Sequence, residues 1–206
     1  MSIKAIVFDI GGILEITEKT DWDKKWEKIL DLEEGFIHRK MNDTWAKGSI
    51  GTITLEEVHK NLSLLLNIKI EQANQIMNDI WKEYLGSLNK ELYDYFKSFK
   101  GKYKTAILSN SFVGAREKEQ EKYGFESSCD FIIYSHEVGL YKPDLAIYNL
   151  LISKLDVLPS EIIFLDDIKE NIDAANKLGI NGILFEDNKN AIEKINFLLK
   201  SDSYLN

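Results

Sequence analysis

The sequence predicts a parallel three-layer α/β core interrupted by an all-helical insertion. Five short apolar runs alternate with helical patterns along most of the chain. Between Glu15 and Leu88 only helical spacings occur. Four of the apolar runs lead into polar or charged groups, which a parallel sheet gathers on its carboxyl edge, where open α/β folds bind ligands.

The first run, Ile3 to Phe8, is apolar and rich in β-branched residues, as expected of a strand buried on both faces. It delivers Asp9 to a turn with two glycines, Gly11 and Gly12. A desolvated carboxylate is costly unless paired or metal-bound. Asp9 is therefore either a turn residue accepting backbone N–H bonds or the first member of a site.

In the insertion, Trp22, Trp26, Ile29 and Leu30 mark one helical face, and Leu55, Val58, Leu62 and Leu65 a second. Thr54 with Glu57 forms a capping box ahead of that second helix. Ile76, Ile80 and Tyr84, with Met77 and Trp81, mark a third face. The stretch Ala46 to Thr52, with two glycines, reads as a loop.

Beyond the insertion, Leu92, Tyr95, Phe96 and Phe99 form a helical stripe closed by Gly101. Strands are predicted at Tyr103–Leu108, Phe131–Tyr134, Ile162–Leu165 and Ile180–Phe185. Helices are predicted at Ala115–Tyr123, Leu145–Leu155, Glu170–Leu178 and Ala191–Leu199, with Ser201 to Asn206 frayed. Two units follow: residues 1–14 with 89–206 as the α/β core, and 15–88 as the helical unit.

Composition narrows the partners. Lys plus Arg number 26 against 34 Asp plus Glu, a net charge of −8, which opposes nucleic acid and anionic membranes. A phosphorylated small molecule stays open, because one lysine and a cation overrule the global sign locally. Cys129 is the only cysteine, so it reads as a small buried hydrophobe rather than a disulfide or metal ligand. No signal peptide or membrane-length run is evident, and a cytoplasmic location is the expectation.

The polar strand ends carry the chemistry. Asp9 ends the first strand, Ser109-Asn110-Ser111 the second, Gly139 to Pro143 with Lys142 follow the third, and Asp166-Asp167 end the fourth. Each has an ordinary reading: a helix cap for Ser109-Asn110, a loop charge for Lys142, a capping pair for Asp166-Asp167. Together, adjacent carboxylates facing Asp9 need a cation between them, and such oxygen-rich sites suit Mg²⁺.

In this order the motifs resemble those of the haloacid dehalogenase superfamily, hydrolases that use an aspartate nucleophile and are mostly phosphatases. Phe8 to Leu14 is similar to the first motif, Leu108-Ser109-Asn110 to the second and Lys142-Pro143 to the lysine motif. Phe164 to Asp167, followed by Asn171 to Ala175, is similar to the acidic motif, and the insertion resembles the helical cap of one subgroup. The resemblance spans nearly the whole chain and implies a Rossmann-like core. It also implies Asp9 as nucleophile, with Mg²⁺ held by Asp9, the Gly11 carbonyl, Asp166 and Asp167. Ser109, Asn110 and Lys142 would hold phosphoryl oxygens, Lys142 would also offset charge around Asp9, and the cap would select the leaving group.

One position departs from the pattern. Most phosphatases of the superfamily carry a second aspartate two residues after the nucleophile, where this chain has Gly11. Three consequences stay open. The substrate has a good leaving group, as in sugar 1-phosphates or acyl phosphates; some relatives with Asp-x-Gly resemble sugar-phosphate phosphatases. Alternatively the acid comes from Glu15, Asp21 or Asp23, or the site is slow and serves to bind a phosphorylated ligand. Response-regulator receivers share the residue types but place the acidic pair before the acceptor aspartate, the reverse of this chain. The three histidines, His38, His59 and His136, lack metal-ligand spacing. The four tryptophans read as cap packing, with Trp45 the exception as a substrate platform.

Overall fold

The computed structural model describes residues 2–17 and 20–201. Strand β1 (Ala5–Phe8) lies at the centre of a five-stranded sheet. The chain then forms a two-residue strand β2 (Glu15–Ile16) and four helices: α1 (Trp22–Ile29), α2 (Phe36–Ser49), α3 (Leu55–Leu66) and α4 (Ile70–Tyr84). It returns through β3 (Ser87–Leu88), which pairs antiparallel with β2. The α/β alternation follows: α5 (Lys90–Lys97), β4 (Lys104–Ser109), α6 (Ala115–Tyr123), β5 (Phe131–Tyr134) and a short α7 (Ser135–Val138). The chain continues through α8 (Leu145–Leu155), β6 (Ile162–Asp166), α9 (Lys169–Lys177), β7 (Asn181–Leu184) and α10 (Asn188–Ser201).

The sheet order is β5-β4-β1-β6-β7, and every pairing in it is parallel. All four residues of β1 are fully buried, so its side chains alternate between two cores. Ile6 and Phe8 face a cluster that includes Leu92 and Phe96 of α5 and Ile195 of α10. Ala5 and Val7 face Ile147 and Leu151 of α8 and Ile172 and Ala175 of α9. Helices therefore cover both faces, giving the predicted three layers. No helix among the described residues is long and apolar enough to cross a membrane.

Helices α1 to α4 pack around their own apolar cluster, from Trp22 and Ile37 to Ile76 and Trp81. The cluster is not closed on itself. Val113 and Ala115, just past the end of β4, belong to it and seat the helices over the sheet edge. The capping box of α3 is present: Glu57 N donates to Thr54 Oγ1 at 3.2 Å, and Thr54 N to Glu57 Oε2 at 2.7 Å.

The sequence reading departs from the structure in several places, the short α7 among them. The helix α2 was missed, and Ala46 to Ser49, read as loop, form its last turn. Gly48 is there because of packing: a Cβ on it would stand 2.1 Å from the ring of Phe112. The β2–β3 ribbon was missed too, since two-residue strands leave no periodic signal. Two stripe residues, Ile29 and Leu65, face solvent; Leu66 is buried in the second face instead. Strand and helix ends shift by one to three residues, and the frayed end expected from Ser201 onward lies, apart from Ser201, outside the described residues.

Candidate active site

Parallel register brings the polar strand ends together. Phe8 of β1 pairs with Ile107 of β4 and Leu165 of β6, so Asp9, Ser109 and Asp166 leave the sheet on one edge. After Asp9 the chain turns tightly: the N–H groups of Ile13, Leu14 and Glu15 all converge on the Ile10 carbonyl, at 2.8–3.1 Å. Gly12 adopts φ +70°, and a Cβ there would lie 2.2 Å from Asp167 Oδ2. The missing side chain of Gly12 is what lets the Asp167 carboxylate lie over the turn.

Lys142 is the centre of charge. Its Nζ lies 2.8 Å from Asp9 Oδ1 and 2.7 Å from Asp166 Oδ2, with all three side chains nearly inaccessible to solvent. Asn110 holds the Lys142 backbone at both ends: Lys142 N donates to Asn110 Oδ1 at 2.8 Å, and Asn110 Nδ2 donates to the Lys142 carbonyl at 2.9 Å. The Asn110 side chain therefore positions Lys142 through both of its amide atoms. The Ser109 hydroxyl is buried and donates a long bond to the Asn110 carbonyl, at 3.3 Å.

Asp166 is likewise committed. Besides Lys142 it accepts from Ile168 N at 2.8 Å and from Asn171 Nδ2 at 2.9 Å. Asp167 is exposed and differs in that respect. Asp9, Asp166 and Asp167 each offer an oxygen within 4.8 Å of the others.

Three carboxylates with one ammonium crowd negative charge. Burial pushes the Asp9 carboxyl up to about 7; Lys142 pulls it back and Asp166 adds to the rise. Burial and then Asp166 raise Asp167 as well. Lys142 is disfavoured as a cation by burial, yet Asp9 and Asp166 outweigh this and its pKa is raised. A divalent cation against Asp9 and Asp167 relieves this crowding, and the all-oxygen donor set fits Mg²⁺, which takes one or two carboxylates and completes its shell with water and phosphate.

Gly11 is exposed, and a Cβ built on it meets nothing within 4 Å. None of the three alternative acids lines the cavity described below. Glu15 is buried, its Oε1 has no hydrogen-bond partner among the described residues, and burial, then Glu119, push it up to about 9. Asp23 faces His38 at 3.2 Å, and Asp21 precedes α1 as its N-cap residue.

Sequence reasoning missed Glu119. It lies in α6, whose charged pattern reads as solvated, yet it is fully buried and accepts from Tyr134 at 2.6 Å and Tyr84 at 3.4 Å. Burial pushes it up to about 7. The two tyrosines were its only sequence signal, and they lie far from it in the chain.

Beside Asn110 opens a cavity of about 530 Å³ between α1, α2, α4 and the loop after β4. Its walls are mostly aromatic: Trp22, Trp45, Trp81, Tyr84, Phe112 and Tyr141. Three of the four tryptophans thus line it, Trp45 among them; Trp26 instead packs in the helical cluster.

A family model for haloacid dehalogenase-like hydrolases matches residues 3–179, and the chain belongs to that family. It is 28% identical to the bifunctional epoxide hydrolase 2 of Sus scrofa over 95% of its own length but 38% of that protein's, so it spans well under half of that relative. It is 24% identical to a D-ribitol-5-phosphate phosphatase of Bacteroides thetaiotaomicron, covering 97% of this chain and 100% of that one. Among solved structures it is similar to a HAD family enzyme of the same bacterium in complex with magnesium and inorganic phosphate. That match has a TM-score of 0.75 and 21% identity, over 90% of this chain and 95% of the other.

Proposed function

We propose that the protein is a Mg²⁺-dependent phosphomonoesterase acting on a small phosphorylated metabolite, with residues 1–14 and 89–206 as catalytic core and 15–88 as cap. The observation that carries this is the buried Asp9–Lys142–Asp166 cluster beside an exposed Asp167 on the carboxyl edge of the sheet. Phosphatases among the relatives, and magnesium with phosphate in a structure of the same fold, support it. The β2–β3 ribbon, through which the chain leaves and re-enters the core, supports the division into core and cap.

Asp9 Oδ attacks phosphorus, the ester P–O bond breaks, and its electron pair leaves on the alcohol oxygen. Water then cleaves the aspartyl-phosphate, restoring Asp9 and releasing inorganic phosphate. Lys142 and the Ser109 hydroxyl hold phosphoryl oxygens, while Asp166 and Asn110 act by fixing Lys142. Asp9, Asp167 and the Gly11 carbonyl would hold Mg²⁺, which when bound would supply charge neutralisation for the transferring group. Asp166 stays behind Lys142 rather than supplying a direct ligand, because its oxygens already accept four hydrogen bonds.

Phosphate release from a panel of phosphate esters, with Mg²⁺ or with chelator, tests this beside Asp9→Asn. Release that needs both the metal and Asp9 supports the assignment. Undiminished release by Asp9→Asn contradicts it.

A further inference from the structure

We infer that the leaving group this enzyme accepts is a phenol: its substrate is an aromatic phosphate monoester whose ring lies in the cavity beside Asn110. The inference rests on the phosphatase reading above and adds the substrate class.

Three independent observations converge. The first is the wall. Trp22 and Trp45 meet edge-to-face with centroids 6.2 Å apart, and Trp45 meets Phe112 edge-to-face at 5.8 Å. Such faces receive a flat ring by stacking and edge contacts. At about 530 Å³ the space suits one or two rings.

The second is the state of the polar groups in that wall. A sugar is recognised through several hydrogen bonds to its hydroxyls. Most hydroxyl, amide and imidazole groups of the wall already have partners within the protein, and the buried Trp45 Nε1, which has none among the described residues, offers a single donor. Ser135 Oγ donates to the Ser49 carbonyl at 3.0 Å and accepts from Ser111 N at 2.9 Å. The Ser111 hydroxyl is bonded to His136 Nδ1 at 2.7 Å, and Ser49 Oγ to the Trp45 carbonyl at 3.0 Å. Asn110 holds Lys142, and His38 faces Asp23. A polyol would enter an apolar space with its hydroxyls largely unmatched.

The third is Gly11. No carboxyl lines the cavity among the described residues, and Gly11, two residues after Asp9, has no side chain and open space around it. An aliphatic alkoxide, whose conjugate acid is about as weak as water, leaves slowly without such an acid. A phenolate, whose conjugate acid has a pKa of about 10, leaves without one. The bond from Asp9 to phosphorus forms as the P–O(aryl) bond breaks, and the phenolate takes its proton from solvent.

The test compares kcat/KM for phenyl phosphate, cyclohexyl phosphate and glucose 1-phosphate, in wild type, Phe112→Leu and Gly11→Asp. Binding of phenyl phosphate to Asp9→Asn is followed in parallel by tryptophan fluorescence, which three cavity tryptophans report. Phenyl phosphate should exceed cyclohexyl phosphate of similar shape by about a hundred-fold or more, and Gly11→Asp should narrow that gap. Phe112→Leu should raise KM for phenyl phosphate about ten-fold more than for glucose 1-phosphate, in a variant whose melting shows it folded. Asp9-dependent release that favours glucose 1-phosphate overturns the inference and leaves the phosphatase reading standing. If no ester gives Asp9-dependent release, that reading fails instead. The fluorescence then decides the cavity alone: quenching by phenyl phosphate that Phe112→Leu weakens retains an aromatic-ligand site, and no quenching removes it.

Discussion

The carboxyl edge of the sheet and the cavity above it are made of opposite materials. The edge is a dense charge cluster in which Lys142, Asp9 and Asp166 have almost no solvent contact. The cavity is an aromatic shell whose serines are bonded to neighbouring protein groups, while Trp45 Nε1 has no partner among the described residues. The difference teaches where each property resides. In the proposed function, reaction chemistry sits on the strand ends and selection of the leaving group on the helices packed over them.

Breaking the charged side should have the largest effect. Lys142→Met leaves Asp9 and Asp166 buried without their shared cation, which should cost about 3–5 kcal/mol of stability and abolish turnover. Urea denaturation with and without Mg²⁺ measures it; Mg²⁺ should recover stability but not activity.

Gly12→Ala tests the turn. The new Cβ would strike Asp167 at 2.2 Å in a left-handed backbone. Displacing that carboxylate should raise the Mg²⁺ concentration for half-maximal activity at least about ten-fold, the scale of a perturbed metal shell. Unaltered Mg²⁺ dependence would remove Asp167 from the metal site.

Gly48→Ala strikes the aromatic side. Overpacking against Phe112 should cost about 1–3 kcal/mol, read as a lower Tm, and should weaken aryl phosphates selectively while the Mg²⁺ dependence stays.

The smallest effect concerns pH. Glu15 is protonated in the fold up to about 9 but ionises near 4.5 when unfolded. The unfolded chain gains the ionisation first, so this group's contribution is complete below 4.5 and is lost as pH rises towards about 9. Glu15→Gln should therefore flatten the fall in Tm across that window. An unchanged slope would contradict the burial assigned to it.

Much of the fold was legible because buried parallel strands and amphipathic helices carry strong periodic signals. The runs at Phe131–Tyr134 and Leu145–Leu155 match their elements residue for residue. Asp9, Ser109 and Asp166 stood out at strand ends and Lys142 in the loop beyond the third strand, since polar groups after an apolar run need a reason. What hid was tertiary. Gly48 reads as a loop residue because the ring that requires it, Phe112, lies on another element. The hold of Asn110 on the Lys142 backbone, made across two separate loops, leaves no trace in the sequence. Trp22 and Trp81, taken for packing alone, both pack and line the cavity.

Trapping the covalent intermediate tests the central claim most directly. Turnover of phenyl phosphate with Mg²⁺ is stopped in acid, the protein is reduced with borohydride, and its peptides are mapped by mass. Phosphorylated Asp9 should be recovered as homoserine at position 9, and Asp9→Asn should give none. Phosphate release in the steady state with Asp9 unmodified, or with the adduct on another residue, would contradict the assignment.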